Sequence, residues 1–472
     1  MSSPVRGILS AAGYVPYRRL QRAEIAAFFG AGGGRGTRSV ASYDEDTTTL
    51  GVESARAALR STSARPAALW FATADPAYLE KTNATAIHAA LRLDAGVAAL
   101  DTGGAVRSGV GSLLAALRSR DPVLVVASDI RVGLPTSTDE SAQGDGAAAI
   151  LVGDDSCGPV IAEYLGGASR TEEFIDRWRA PGDARPRQWE ERFGETKYLP
   201  LVDDAWKAAL EAAKASAEEI DVAIVTGPHT RAVKTAAGRL GVKRIADDLA
   251  AAVGQTGTAH PALLLAHALE QASPGQTLAL VSLADGVDVA LFRTTDALAR
   301  WRPARRIATQ IATAADLPYA KYLTWRQMLR VEPPRRPEPD RISASVAGRT
   351  EAWKYAFVGS RDRSSGALHL PPARVSREGG AQDDMEPAPM SDAIGTIATF
   401  TLDRIAYSPS PPIAFAVVDF EDGGRLPMEL TDVDAASLEM GQQVEMTFRR
   451  LFTADGLHNY FWKARPIRGR ES

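Results

Sequence analysis

Apolar and polar positions follow two different patterns along this chain, and the change between them marks its organisation. Through residues 1–300 the apolar positions come in short continuous runs. These are "AALWFAT" ending at Thr73, "PVLVVAS" at Ser128, "GAAAILVG" at Gly153, "DVAIVTG" at Gly227, "TLALVSL" at Leu283 and "GVDVALFRT" at Thr294. Such runs predict strands buried on both faces. Between them lie stretches with apolar residues at helical spacing: "VESARAALRS" from Val52, "SLLAALRS", "VDDAWKAALEAAKAS" from Val202 and "ALLLAHALEQAS". The same succession of helix and strand occurs twice. The reading is a layered α/β fold in two related halves, 1–155 and 156–300, with a site expected where the halves meet.

After Trp301 the pattern changes. "RWRPARRIATQIATAADLPYAKYLTWRQMLRVEPPRRPEPDR" holds a helical stretch and then a Pro/Arg-rich run that can be neither helix nor central strand, so 301–350 is read as a connecting segment. Beyond Glu351 the period becomes two. "VEMTFRRLF" alternates Val444, Met446 and Phe448 with polar partners, and "GTIATFTLDRIAY", "PPIAFAVVDF" and "RLPMELTDV" behave similarly. Short strands between Gly, Pro and Asp signals predict a small β-barrel of OB type over 391–472, preceded by a separate segment, 351–390.

Composition narrows the function classes. The 472 residues are 45% hydrophobic and 24% charged, with a net charge of −4, which gives no basic footprint for nucleic acid. No run of 18 apolar residues occurs and "MSSPVRGILSAAG" carries no signal-peptide pattern, so no membrane partner and a cytoplasmic location are expected. The single cysteine, Cys157, sits in the polar turn "GDDSCGP" and reads as an incidental thiol.

Chemistry is suggested by the segment "DTGGAVRSGV", Asp101–Val110, where a strand runs through small residues into a helix. A helix N-terminus favours an anion or a developing negative charge, yet no nucleophile stands there. Several segments of the first 300 residues resemble the archaeal and bacterial hydroxymethylglutaryl-CoA synthases of the thiolase superfamily: "GILSAAGYVPYRRLQRAEI", "SYDEDTTTLGVESARAAL", "ATADPAYLEKTNATAIHAAL", "QGDGAAAILVGD", "TGPHTRAV" and "GQTGTAHPALLLAHAL". "GTIATFTLDRIAYSPSPPIAFAVVDF", "LPMELTDV" and "VEMTFRRLFTADGLHNYFWKARP" resemble the OB-fold domain that accompanies many acyl-CoA thiolases and synthases. The resemblance implies a five-layer αβαβα fold, homodimers, acyl-CoA substrates and Claisen- or aldol-type chemistry.

It also implies a nucleophilic cysteine, an acid/base glutamate, a histidine and an asparagine. On this chain the cysteine position is Val106 and the glutamate position is Ala74, while the histidine is retained as His229 and the asparagine position reads Gln255. His229 and Gln255 are therefore the residual catalytic candidates. The accompanying OB domain usually begins with a zinc ribbon of four cysteines. Here Asp362, Ser365, Ser376 and Gly379 stand in their places, so 351–390 reads as a degenerate ribbon and no zinc or other cofactor is expected.

Other candidates carry blander readings. Asp75 could replace the missing acid only at a strand end or bulge. Ser108 is the hydroxyl nearest Val106, but serine needs a positioned base. His260 reads as a helix-start residue, and the glycines 103, 104, 109 and 111 match no nucleotide-binding fingerprint. Three functions follow from the resemblance. The favoured one is a nucleophile-less partner subunit of a separate, cysteine-bearing thiolase in acyl-CoA carbon–carbon chemistry. The alternative is a cysteine-independent acyl-CoA aldolase or acyltransferase using His229 and Gln255. An active hydroxymethylglutaryl-CoA synthase is disfavoured by Val106 and Ala74.

Overall fold

The apolar runs form one nine-stranded mixed sheet in the computed structural model, which describes residues 4–469. From edge to edge its strands are Val222–Thr226, Thr277–Leu283, Val287–Thr294, Ala162–Arg170, Arg6–Tyr14, Gly146–Asp154, Val123–Asp129, Ala68–Ala72 and Ala98–Asp101. This order displays the duplication. Going outward from Arg6–Tyr14, the next strands pair antiparallel, antiparallel and then parallel. Going outward from Ala162–Arg170, the succession is the same. The first half adds Ala98–Asp101 beside Ala68–Ala72, where the second half has only a parallel bridge from Ala223 to Ile245. The halves join where Gly7 and Ile8 pair with Glu163 and Ala162.

Helices cover the sheet because its strands are apolar on both faces. Helices Ser108–Arg118 and His260–Gln271 share one core, in which Val110, Leu113, Leu117, Leu263 and Leu264 are buried with Ile150, Ile224 and Phe292. Helix Glu191–Ala213 lays Tyr198, Val202, Ala205 and Ala209 over Val225, Val281 and Val289. The first of two compact units runs to Ala41, with Glu53–Thr85 and Asp94–Tyr319. It therefore extends past the boundary expected at residue 300. Trp301 and Ile307 are buried in the sheet core, and Leu317 is also buried, so apolar side chains tie this stretch to the layers.

The second unit comprises Ser42–Val52, Ala86–Leu93 and the described chain from Ala320 onward. Its centre is a closed barrel of five strands in the order Ile394–Asp403, Ile413–Phe420, Arg425–Leu430, Leu457–Pro466 and Gln443–Ala454. Val444, Met446 and Phe448 are fully buried, as their alternation predicts, and Phe448 packs edge-on against Trp462. The intervening residues differ from the expected half-buried pattern: Thr447, Arg449 and Lys463 are also fully buried. The acidic stretch from Ser42 supplies the reason. Arg449 meets Glu45 at 3.1 Å and Asp432 at 2.9 Å, and Lys463 meets Asp44 at 3.0 Å and Glu429 at 2.7 Å. Burial works against the Asp44 charge, but Lys463 and Arg449 outweigh it and hold that carboxyl below its ordinary range.

Candidate functional site

The turn between strand Ala98–Asp101 and helix Ser108–Arg118 is held in place although it carries no nucleophile. Thr102 N–H donates to the Phe71 carbonyl at 2.8 Å. Arg107 staples the turn to the second half: Nε donates to Asp288 Oδ2 at 2.8 Å, and the guanidinium also reaches the Asp285 carbonyl at 2.7 Å and Thr171 Oγ1 at 3.0 Å. Gly109 is required by the helix's approach to the segment at Thr258, since a Cβ there would lie 2.2 Å from the Thr258 carbonyl oxygen. Val106 is thus presented on a fixed backbone at the start of a helix.

A second fixed point is Asp129, fully buried at the end of strand Val123–Asp129. One carboxylate oxygen accepts from Ala74 N–H at 2.7 Å and Thr73 Oγ1 at 3.1 Å. The other accepts from Thr258 N–H at 2.7 Å and lies 3.5 Å from Arg131. Three loops converge on this one side chain, and each carries or adjoins a position of interest. Ala74 and Asp75 lie past the end of strand Ala68–Ala72, which frees Asp75 from strand alternation.

Ala74, Asp75 and Val106 line one cleft of about 550 Å³, together with Arg131, Asp176 and Tyr198. The structure therefore brings the nucleophile and acid positions together, as the resemblance requires, but with two small apolar side chains at them. Asp75 is raised by burial, which its 3.2 Å ion pair with Arg179 opposes. Arg179 also donates to the Ala74 carbonyl, so this arginine fastens the segment 176–186 along the cleft wall.

His229 and Gln255 are not among the described residues lining the cleft. His229 is buried and caps helix Thr230–Ala237, with Nδ1 accepting from Ala232 N–H at 3.0 Å. A backbone N–H can only donate, so Nδ1 carries no proton. Nε2 must then hold the ring proton and donates it to the Glu191 carbonyl at 2.7 Å. Both nitrogens are engaged with main chain, which leaves this imidazole no lone pair for a substrate proton. Gln255 spends its Oε1 on Gly257 N–H at 2.6 Å, while its buried Nε2 has no partner among the described residues. His260 is buried, and burial pushes its pKa down to about 4, as befits a neutral core residue. Ser108 Oγ accepts a long 3.4 Å bond from Ala105 N–H, and Cys157 donates weakly to Asp154.

Sequence reasoning missed Asp176 and Tyr198. Asp176 is 4% exposed, and its Oδ1 is buried without a hydrogen-bond partner among the described residues. Burial raises its pKa, with Arg177 and a hydrogen bond from Tyr198 pulling the other way. Tyr198 in turn accepts from Asp285 N–H at 3.2 Å. Asp285, also on the cleft, is raised by burial and by the like charge of Asp176. The sequence signal that could have singled out Asp176 is the "RWRAP" run directly after it.

In the second unit three of the four positions expected to have held zinc, Asp362, Ser365 and Ser376, form a different cluster with Ser364. Asp362, fully buried, accepts from Ser364 N–H at 2.9 Å, Ser364 Oγ at 2.8 Å and Ser365 Oγ at 2.6 Å. The Ser365 and Ser376 hydroxyls, with Ser364, hold its carboxyl well below the usual range. One carboxylate already saturated by hydroxyls does not fit a tetrahedral thiolate ion site. Among the described residues no group of three or more His, Cys, Asp or Glu is arranged to hold a metal, and no helix is long and apolar enough to cross a membrane.

Residues 388–449 match the family model described as the ChsH2 C-terminal OB-fold domain. The chain is also similar, over part of its length, to curated hydroxymethylglutaryl-CoA synthases. That of Thermococcus sibiricus is 28% identical over 59% of this chain and 83% of its own length. That of Archaeoglobus fulgidus is 28% identical over 69% of this chain and 99% of its own. Among solved structures, MvaS in complex with 3-hydroxy-3-methylglutaryl coenzyme A superposes with a TM-score of 0.57 at 21% identity, covering 71% of this chain and 95% of that one. The chain thus has a thiolase-like α/β fold with hydroxymethylglutaryl-CoA synthase-like relatives, and it ends in an OB-fold barrel.

Proposed function

We propose that this protein takes part in acyl-CoA carbon–carbon bond chemistry without forming an acyl-enzyme, as the nucleophile-less partner of a separate, cysteine-bearing thiolase. The observation that carries this reading is Val106: its turn is stapled by Arg107 and opens on a cleft, yet it has no atom able to attack a thioester. Relatives named hydroxymethylglutaryl-CoA synthase and a related fold seen with a coenzyme A thioester support acyl-CoA as the ligand class. The test is co-expression with a thiolase encoded beside its gene, assaying acyl-CoA bond formation or cleavage. Turnover that disappears when this chain is omitted, with no added acyl mass on the chain after incubation with acetyl-CoA, is the expected result. A stable acyl adduct on Ser108 or Cys157 would refute it.

A second reading is favoured by the cleft's polar lining: the chain itself catalyses a non-covalent step such as retro-aldol cleavage. An abandoned cavity has no reason to keep a buried carboxylate with an unmet oxygen, because such a group is costly in a folded protein. His229→Ala in the assembled complex separates the original form of this reading from the structural one. The helix cap weakens, and turnover by the assembled complex is retained.

A further inference from the structure

We propose that Asp176, held by Tyr198, is the general base of the first unit's cleft. The proposal rests on the second reading above, in which this chain carries out its own non-covalent step. Four observations converge on this residue rather than on His229.

Asp176 and Tyr198 line the same cleft as Val106 and Ala74, where the reacting carbon of a thioester would lie. Asp176 is buried to 4% exposure, and its Oδ1 lacks any partner among the described residues. A buried carboxylate oxygen without a partner calls for an explanation, and for one on a cleft a ligand supplies it. Tyr198, fixed by Asp285 N–H, donates its hydroxyl to the carboxylate and so sets its position from one side. Gly194 leaves the other side open: a Cβ there would stand 3.0 Å from Asp176 Oδ1 and 2.8 Å from His229 Nε2. Helix Glu191–Ala213 thus carries a glycine where any side chain would crowd the carboxylate.

The charged and titratable groups around Asp176 are Arg177 on its own segment, Tyr198 and Glu191 on the helix, His229 at the next helix start and Asp285 on the neighbouring loop. Burial is the largest influence and raises the pKa, which makes the carboxylate a stronger base than one in water.

The step balances without a cofactor. With a β-hydroxyacyl thioester, the hydroxyl proton passes to Asp176 and the Cα–Cβ bond breaks. Its electron pair moves into the thioester as an enolate, and Asp176 returns the proton to Cα, leaving a carbonyl compound and a shortened acyl-CoA. The enolate needs fixed positive charge or N–H donors, and Arg131 lines the same cleft. The half-reaction is simpler: Asp176 takes a Cα proton from acetyl-CoA and returns one from solvent.

That half-reaction is the test. Full-length chain, purified with its partner thiolase carrying a Cys→Ala nucleophile substitution, is incubated with acetyl-CoA in D₂O, and deuterium at Cα is followed by mass spectrometry. Acetyl-CoA binding is measured in parallel by calorimetry. Asp176→Asn is expected to cut exchange by about 100-fold or more with binding retained. Tyr198→Phe, which removes the hydroxyl that favours the carboxylate, is expected to move the rate's pH profile to higher pH, a shift a structural role would not produce. If wild type exchanges and Asp176→Asn exchanges equally fast, the proposal is overturned and the non-covalent reading stands. If wild type binds acetyl-CoA without exchange, both fall.

Discussion

Asp176 in the first unit and Asp362 in the second are both buried carboxylates, the one on the cleft that Val106 and Ala74 line and the other at a position where the resemblance implies a zinc ligand. Their surroundings differ. Asp362 accepts from Ser364, Ser365 and Ser376, so the site that metal-binding residues would have formed is closed by hydrogen bonds. Asp176 has one oxygen with no hydrogen-bond partner among the described residues. Elsewhere in the second unit buried charge is met by opposite charge, with Arg449 and Lys463 facing Asp44, Glu45, Asp432 and Glu429. A carboxylate enclosed by hydroxyls has little capacity left for a ligand, whereas one with an unmet oxygen keeps an acceptor that a ligand can use.

The largest effect should come from breaking the satisfied region. Asp44→Ala leaves Lys463 and Arg449 buried with less opposing charge, and a loss of about 3–5 kcal/mol in denaturant unfolding is expected. His229→Ala removes a helix cap and should cost about 0.5–2 kcal/mol in the same measurement. Asp176→Asn should act in the opposite direction. Its pKa is raised in the folded state, so the ionised group opposes folding at neutral pH, and removing that charge should stabilise the chain by about 1 kcal/mol. A loss comparable to that of Asp44→Ala would erase the contrast. Arg179→Ala, which breaks a partly exposed pair with Asp75, should change stability by less than about 1 kcal/mol.

A pH series sharpens the same contrast. Asp362 has a lowered folded pKa, so its contribution is present above the ordinary carboxylate pKa of about 4 and is lost as pH falls below it. Asp176 has a raised pKa, so its native form binds a proton first and stability should gain as pH drops from neutrality through that raised value. Unfolding midpoints of Asp362→Asn and Asp176→Asn against wild type from pH 7 to pH 3 should therefore diverge: the difference for Asp362→Asn shrinks with acid, and so does the stabilisation by Asp176→Asn, from the other side of zero.

Much of the fold was legible because it depends on local pattern. Continuous apolar runs such as Val123–Asp129 marked strands covered on both faces, and the repeat of those runs gave the two halves. The alternation at Val444, Met446 and Phe448 marked a barrel strand. The site was legible only in part: Val106 and Ala74 do meet on one cleft, but His229 turns out to cap a helix and Asp176 was not noticed. The engagement of His229 depends on the Glu191 carbonyl, 38 residues away, and no spacing rule reports which lone pairs a distant backbone group will occupy.

By itself the sequence determined the layered halves, the barrel, and the absence of a thiol and a carboxylate at Val106 and Ala74, since periodicity and residue identity settle those questions. Tertiary structure alone decided which polar groups are satisfied. It buried Lys463 and Arg449 against the acidic stretch at Asp44, closed the ribbon around Asp362, and left Asp176 Oδ1 unmet. Hydrogen-bond satisfaction is a property of close contacts between residues far apart in the chain, and folding, not composition, sets which of them meet.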